Sequence, residues 1–251
     1  MSRSRLIIAG AAVAIAVGIG GFIVYDQVLR GDSAAALTLP TASSSPSSSG
    51  SPAVTTSAGA SSAPAVSTDG SVAGTWTVAA DSVAGYRVRE QLANLPAESD
   101  AVGRTSQVTG SITLETSGST TTLTAGTLTV DTTSIASDKS QRDNRLRDEG
   151  LQTDQFPTAT FTLTKPVEVP AAALAGTASN VTLTGDLTVH GVTKSVEIPA
   201  QAQLVNGTIQ VAGSISFPLS DYSITAPNIG GFIVSIADTG TLEFLVNFSK
   251  G

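Results

Sequence analysis

From Val108 onward the chain repeatedly alternates apolar and polar residues with a period of two. In 181–189 the odd positions hold Val181, Leu183, Gly185, Leu187 and Val189, and the even ones hold Thr182, Thr184, Asp186 and Thr188. Val196, Ile198, Ala200, Ala202 and Leu204 alternate in the same way with Ser195, Glu197, Pro199, Gln201 and Gln203. Ile209, Val211, Gly213, Ile215, Phe217 and Leu219 form a third such set. Shorter runs place Val108, Gly110, Ile112 and Leu114 on one face, then Ala159, Phe161 and Leu163, and finally Leu242, Phe244, Val246 and Phe248, where Leu245 breaks the alternation. Antiparallel strands with one dry and one wet face produce this pattern.

Turn chemistry agrees with it. His190-Gly191 and Asn206-Gly207 each separate two strands, and Asn-Gly is a strong hairpin signal. In 121–130 the apolar set shifts from odd (Leu123, Ala125) to even (Leu128, Val130), so a one-residue bulge at Gly126 is expected. The strand from Thr208 to Leu219 would be about 40 Å long at ~3.3 Å per residue, which suits an up-and-down barrel better than a small sandwich. One helical segment interrupts the series. Asp138 can cap KSQRDNRLRDE, Gly150 can end it, and Asp143 can pair with Arg147. With Leu146 as its only strongly apolar residue, it is expected at the surface.

The N-terminal part reads differently. Residues 6–24 carry no charge and would span about 28 Å as a helix, close to the hydrocarbon thickness of a bilayer. Arg3 and Arg5 put residues 1–5 in the cytoplasm and the rest outside. A cleaved signal peptide is the rival reading, and the chain would then be secreted. However, the run exceeds the ~7–15 residues of a signal h-region. Residues 25–73 are rich in Ser, Ala, Thr and Pro and are expected to be a disordered tether with an r.m.s. reach of roughly 35–40 Å. The folded domain is expected over 74–251.

Composition narrows the chemistry. Among 251 residues there is no Cys and one His, which excludes disulfides, thiolate metal sites, a Cys nucleophile and any His pair. The net charge of −7 argues against nucleic-acid binding. There is no G-x-S-x-G elbow, and His190 sits in a turn, so the chain is not read as an enzyme. No metal and no cofactor are assigned. Small residues on the dry face (Gly110, Ala125, Gly185, Ala200, Ala202, Gly213) favour a barrel that keeps an internal space, although they would also let two sheets pack closely around a filled core. Nothing charged is expected on the inward faces, so any guest should be apolar.

The domain resembles the YceI-like family of lipocalin-like barrels. The resemblance rests on Ser134-Ile135, Arg142-Asp143, Leu146, Phe156-Pro157 and Phe161, and on the run Gly185-Asp186-Leu187-Thr188-Val189-His190-Gly191-Val192-Thr193-Lys194. Weaker echoes are Trp76 with Ser82, and Ser220-Asp221-Tyr222. Arg145 stands where the family often has His. The resemblance implies an all-β, eight-stranded antiparallel up-and-down barrel with one short helix, exported from a bacterial cell. Its interior would hold a polyisoprenoid or an isoprenoid quinone. The interior wall would then comprise Val108, Ile112, Leu123, Leu128, Val130, Phe161, Leu163, Leu183, Leu187, Ile198, Val211, Ile215, Phe217, Phe244 and Val246. Arg142 and Arg145 are candidates for a headgroup contact, since a guanidinium matches phosphate geometry. Together these readings describe a single-pass, membrane-tethered extracytoplasmic lipid-binding protein. Its partners would be an isoprenoid lipid and, through 6–24, the cytoplasmic membrane; no protein partner is assigned. The alternative is a surface-displayed structural or adhesion module with a filled core.

Overall fold

A computed structural model describes residues 33–40, 71–92, 98–226 and 233–250. The apolar run 6–24 and most of the tether lie outside the described residues. Among the described residues, no helix is long and apolar enough to cross a membrane.

Eleven strands form one antiparallel sheet. They are β1 (Gly74–Val78), β2 (Val83–Leu92), β3 (Glu98–Thr105), β4 (Val108–Ser117), β5 (Thr120–Asp131), β6 (Thr158–Leu163), β7 (Val167–Val169), β8 (Ser179–Val189), β9 (Val192–Val205), β10 (Thr208–Pro218) and β11 (Ile233–Lys250). Three pairs of these are broken halves of longer runs. β11 pairs with β1 through its last residues and with β2 through Ile233–Leu245, so β1 and β2 are consecutive parts of one ascending run. β3 pairs with β2 and β4 with β1, so they form one descending run. β6 and β7 both pair with β5. Counting the broken runs as single staves leaves eight, which close into an up-and-down barrel. The expectation of an eight-stranded closed barrel therefore holds.

The break between β1 and β2 has a visible cause. Asp81 takes a positive φ of 63°, and the kink is pinned by the neighbouring strand β11. The Asn247 backbone N–H donates to Ser82 Oγ at 3.0 Å, and the Asn247 side-chain amide donates to the Asp81 carbonyl at 3.1 Å. His190-Gly191 and Asn206-Gly207 have positive φ at both residues (52°/72° and 52°/75°), the backbone that two-residue hairpins require. The bulge in β5 is present, but the unpaired residue is Thr124 rather than Gly126. Thr113 faces Ala125 and the next pair is Leu114 with Leu123. Gly126 consequently points inward and Ala125, expected inside, is exposed.

We call the end carrying the β2–β3 and β8–β9 hairpins the upper end. The β4–β5 and β9–β10 hairpins mark the lower end. At the lower end Trp76, Leu114, Ile209, Val246 and Phe248 pack together beside β1, and the short helix α2 (Ala171–Leu174), which follows β7, buries Ala173; a small cavity of about 50 Å³ remains between Leu114, Ile209 and that helix. The upper end carries helix α1 (Ser140–Arg145), continued by a wider π-type turn over Leu146–Gly150. Lys139, not Asp138, occupies the N-cap.

Residues 33–40, read from sequence as part of the tether, lie as an extended strap on the outer wall. Ser33 Oγ donates to the Asp100 carbonyl at 3.1 Å on β3, and Arg87 on β2 donates to the Ala34 carbonyl at 2.5 Å. Arg104 donates to the Ala35 carbonyl. At the far end Gln203 on β9 reaches the Pro40 carbonyl at 3.5 Å. Leu39 is buried to 6% exposure. Two leucines in SAAALTLP supply apolar area that the rest of the Ser-rich stretch lacks, which is why this piece can order.

Candidate functional site: an apolar hollow with a buried ion pair

The barrel encloses a cavity of about 260 Å³. Of the residues the resemblance assigned to the interior wall, all line it except Val108, which packs into the lower core cluster at 7% exposure. The hollow shows in the burial of its walls. Leu123, Leu128, Phe161, Leu163, Leu183, Val211, Ile215 and Phe244 point into a closed barrel, yet all are only partly buried. A filled interior would leave such residues without exposure. On β11 the lining runs from Gly240 to Phe248, about 26 Å along the strand at ~3.3 Å per residue. With a strand tilt of about 40°, its depth is roughly 20 Å.

The glycines on the dry face do not create that space directly. A Cβ at Gly185 would lie 2.5 Å from Phe161 Cζ, and one at Gly213 would lie 2.8 Å from Phe244 Cζ. These two positions accommodate the rings of neighbouring strands. Gly126 differs, because a Cβ there would meet only Ile112 and Leu163 at 3.5–3.6 Å. It borders the hollow itself.

The helix expected at the surface is part of the cavity wall. Arg142, Leu146, Gly150 and Leu151 all line the interior. The π-type turn, closed by the Leu151 N–H to the Leu146 carbonyl at 2.7 Å, carries both leucines to the cavity. Asp143 is buried at 6% exposure and accepts from the Ser137 N–H and hydroxyl at 3.0 and 2.6 Å. It therefore braces the loop before the helix rather than pairing with Arg147, which donates to Asn144 instead.

Arg142 enters the upper part of the cavity and meets Glu90 on the inward face of β2. The pair is closely hydrogen-bonded, with the Glu90 side chain 2% exposed and that of Arg142 12%. This corrects the expectation that no charge lies inside. Arg142 also pairs with Asp138 at 2.5 Å. Burial alone would lower the Arg142 pKa, but hydrogen bonds to Glu90 and Asp138 outweigh it and raise the value. Burial likewise favours protonated Asp138, yet the hydrogen bond and charge of Arg142 hold its carboxyl below the usual range. Tyr86, four residues before Glu90 on the same face, has its phenol pushed up to about 12, chiefly by burial and against the pull of Arg142. One polar atom of the cluster is unspent: Arg142 Nε is buried with no hydrogen-bond partner. Arg145, the second headgroup candidate, is not in the cavity wall and pairs with Glu149 at 3.3 Å.

Glu90 was missed from sequence, although its signal is present. In VAGYRVREQL, Tyr86 and Val88 alternate with Arg87 and Arg89, which puts Glu90 on the apolar parity. His190 has a structural place. Its Nδ1 lies 3.1 Å from the Tyr222 carbonyl, and its ring packs edge-on to Phe156 at 4.6 Å, tying the β8–β9 hairpin to the segment after β10.

A closed antiparallel barrel with a dry hollow and one buried ion pair near its upper end belongs to the class of barrels whose interior can take a small ligand. Comparison with known proteins gives the family. The YceI-like domain matches residues 76–248, and the chain belongs to that family. Among solved structures, a polyisoprenoid binding domain from Saccharophagus degradans implicated in plant cell wall breakdown superposes with a TM-score of 0.55 at 22% identity, covering 71% of this chain and 99% of that one. BcnA of Burkholderia cenocepacia gives 0.48 at 16% identity, over 69% and 95% of the two chains. The Campylobacter jejuni YCEI protein gives 0.41 at 18%, over 56% and 81%. No curated protein matches.

Proposed function

We propose that this chain holds an isoprenoid lipid inside its barrel, at the outer face of the membrane to which residues 6–24 attach it. The observation that carries the reading is the cavity, whose walls are apolar over a depth of roughly 20 Å, together with a cation at its upper end. A prenyl chain fits such a space. At about 5 Å per five-carbon unit, from ~1.5 Å carbon–carbon bonds, four units lie straight within it. A longer chain folds back or leaves its tail at the rim. Family membership, and the polyisoprenoid-binding description of the Saccharophagus degradans relative, support the same ligand class.

Arg142 is the residue for the polar end. Its guanidinium is held by Glu90 and Asp138, and Nε remains free to donate to a phosphate or quinone oxygen. We assign no headgroup role to Arg145 and no catalytic role to any residue. The ligand is carried, stored or sequestered rather than transformed.

Titration of the purified chain with a prenol series and the corresponding prenyl pyrophosphates tests this. Affinity should rise with chain length until the hollow is full and then level off. Arg142→Lys keeps the charge but loses the planar fork, so it should erode the preference for pyrophosphate over alcohol by about tenfold (~1.4 kcal/mol) while leaving prenol binding in place. A chain that ignores every prenol, with no dependence on length, supports the filled structural module instead.

A further inference from the structure

The strap on the outer wall runs from near the upper rim to near the lower rim. Ser33 is held at Asp100, two residues into β3 from the upper rim, whereas Pro40 is held at Gln203, two residues before β9 ends at the lower rim. Between them the strap passes the outer faces of β3, β2, β11, β10 and β9, in the order in which those strands pair. It descends the wall over about 23 Å at ~3.3 Å per residue.

The wall beneath it is built to receive a backbone. Glu243 on β11 is an outward carboxylate, yet its side chain is only 3% exposed. It pairs with Arg104 at 2.7 Å and lies 3.7 Å from Arg87. Those two arginines turn their remaining donors to the carbonyls of Ala35 and Ala34. Gln203 is buried at 7% exposure and is aligned by Gln210 at 2.8 Å, which is aligned in turn by Asn247 at 3.2 Å. Polar outer-face residues of a barrel have no reason to be buried unless something covers them.

We propose that this seat orients the barrel, presenting its upper rim, where Arg142 and Glu90 line the cavity, to a lipid bilayer. This rests on the reading of residues 6–24 as a membrane anchor. Residues 25–32 alone then join the anchor to the seat, eight residues that can reach at most about 28 Å. Without the seat, all of 25–73 would separate the anchor from β1, which starts at the lower end. The connection would then reach the barrel only at its lower end and set no orientation. Seating cuts the connection between the anchor and the first fixed point on the barrel from the 49 residues of 25–73 to the 8 of 25–32. Charge does not supply this orientation. The upper rim mixes Lys139, Arg145 and Lys194 with Asp138, Glu149 and Asp221, several of them already paired.

Because the chain lacks cysteine, single labels report the geometry cleanly. Ser220→Cys marks the upper rim and Ser117→Cys marks the lower end; both positions are exposed. The full chain is inserted in phosphatidylcholine vesicles carrying a headgroup-linked quencher, and flotation is read alongside. The label at Ser220 should be quenched more strongly than that at Ser117. Leu39→Asp, which places a charge in the buried seat of the strap, should abolish that difference while flotation persists. Backbone amides of 33–40 should also resist hydrogen exchange in the unsubstituted chain. Equal quenching at the two labels in a chain that floats, or fast exchange of 33–40, overturns the orientation and leaves lipid binding standing. A chain that does not float removes the anchor and the orientation together, whereas prenol titration still judges the barrel.

Discussion

The lower and upper parts of this barrel are made from the same alternating strands, yet the lower packs around Trp76, leaving a space of only about 50 Å³, and the larger hollow opens above it. Below, Trp76 lies across the space between β4 and β11 with its Nε1 donating to the Val72 carbonyl at 2.9 Å, and Leu114, Ile209 and Phe248 close around it. Above, Leu128, Phe161, Ile215 and Leu242 stand on the inward parity, line the hollow and stay only partly buried. Alternation decides which way a side chain points. It does not decide whether the interior is filled, because that depends on the volumes that face one another. Here one indole, backed by one phenylalanine, makes the floor.

The largest effect follows from removing that floor. Trp76→Ala should cost about 3–5 kcal/mol of stability, whereas Leu128→Ala, already half-exposed to the hollow, should cost clearly less. Chemical denaturation of the two variants measures the contrast. Equal losses would mean that the upper part is packed as tightly as the lower.

The ion pair comes next. Arg142→Ala leaves Glu90 buried without a partner and should cost about 3–5 kcal/mol. The double change Glu90→Leu with Arg142→Leu should recover much of that loss, since no charge then remains buried. A double variant less stable than the single would show that the pair contributes net stability beyond avoiding an orphan.

Tyr86 sharpens the same region through pH. Its pKa in the fold, about 12, is raised above the unfolded value near 10. The associated stability, about 2–3 kcal/mol, is complete below pH 10 and drains as pH rises through 12. Tyr86→Phe should flatten the alkaline limb of a stability–pH curve. An unchanged limb would place the phenol in contact with water.

The smallest effect on folding, and the most informative for binding, belongs to Gly126→Phe. The position has no positive φ, and a Cβ there would make only ordinary contacts with Ile112 and Leu163. Stability should change by no more than about 1–3 kcal/mol, the usual range for overpacking, while prenol affinity falls at least tenfold, or about 1.4 kcal/mol. Retained affinity would put the ligand elsewhere.

The meander from β4 to β11 and nearly all of the cavity wall could be read from parity alone, because half-buried strands write their two faces directly into the sequence. Three features could not be read that way. The broken β1–β2 run depends on Asn247 clasping a kink some 165 residues away in sequence, and no local pattern reports such a clasp. The segment 139–150 looked like surface because it is mostly charged. Its few inward residues reach the cavity only through the π-type turn, which shifts Leu146 and Leu151 off helical spacing. The strap was hidden because its order comes from its seat. SAAALTLP resembles the rest of the tether until Arg87 and Arg104 at one end and Gln203 at the other are seen to hold its carbonyls. Glu90 is a different case. The parity that located Phe161 or Leu187 also locates Glu90, but a carboxylate on an apolar face reads as an exception until Arg142 is brought to it.

The most direct measurement is the native mass of the folded chain lacking residues 1–30, purified without detergent. An occupied hollow predicts a polypeptide mass plus one isoprenoid lipid, lost on Gly126→Phe and restored to stripped protein by added prenol. A bare polypeptide mass that stays unchanged when prenol is supplied would contradict the account.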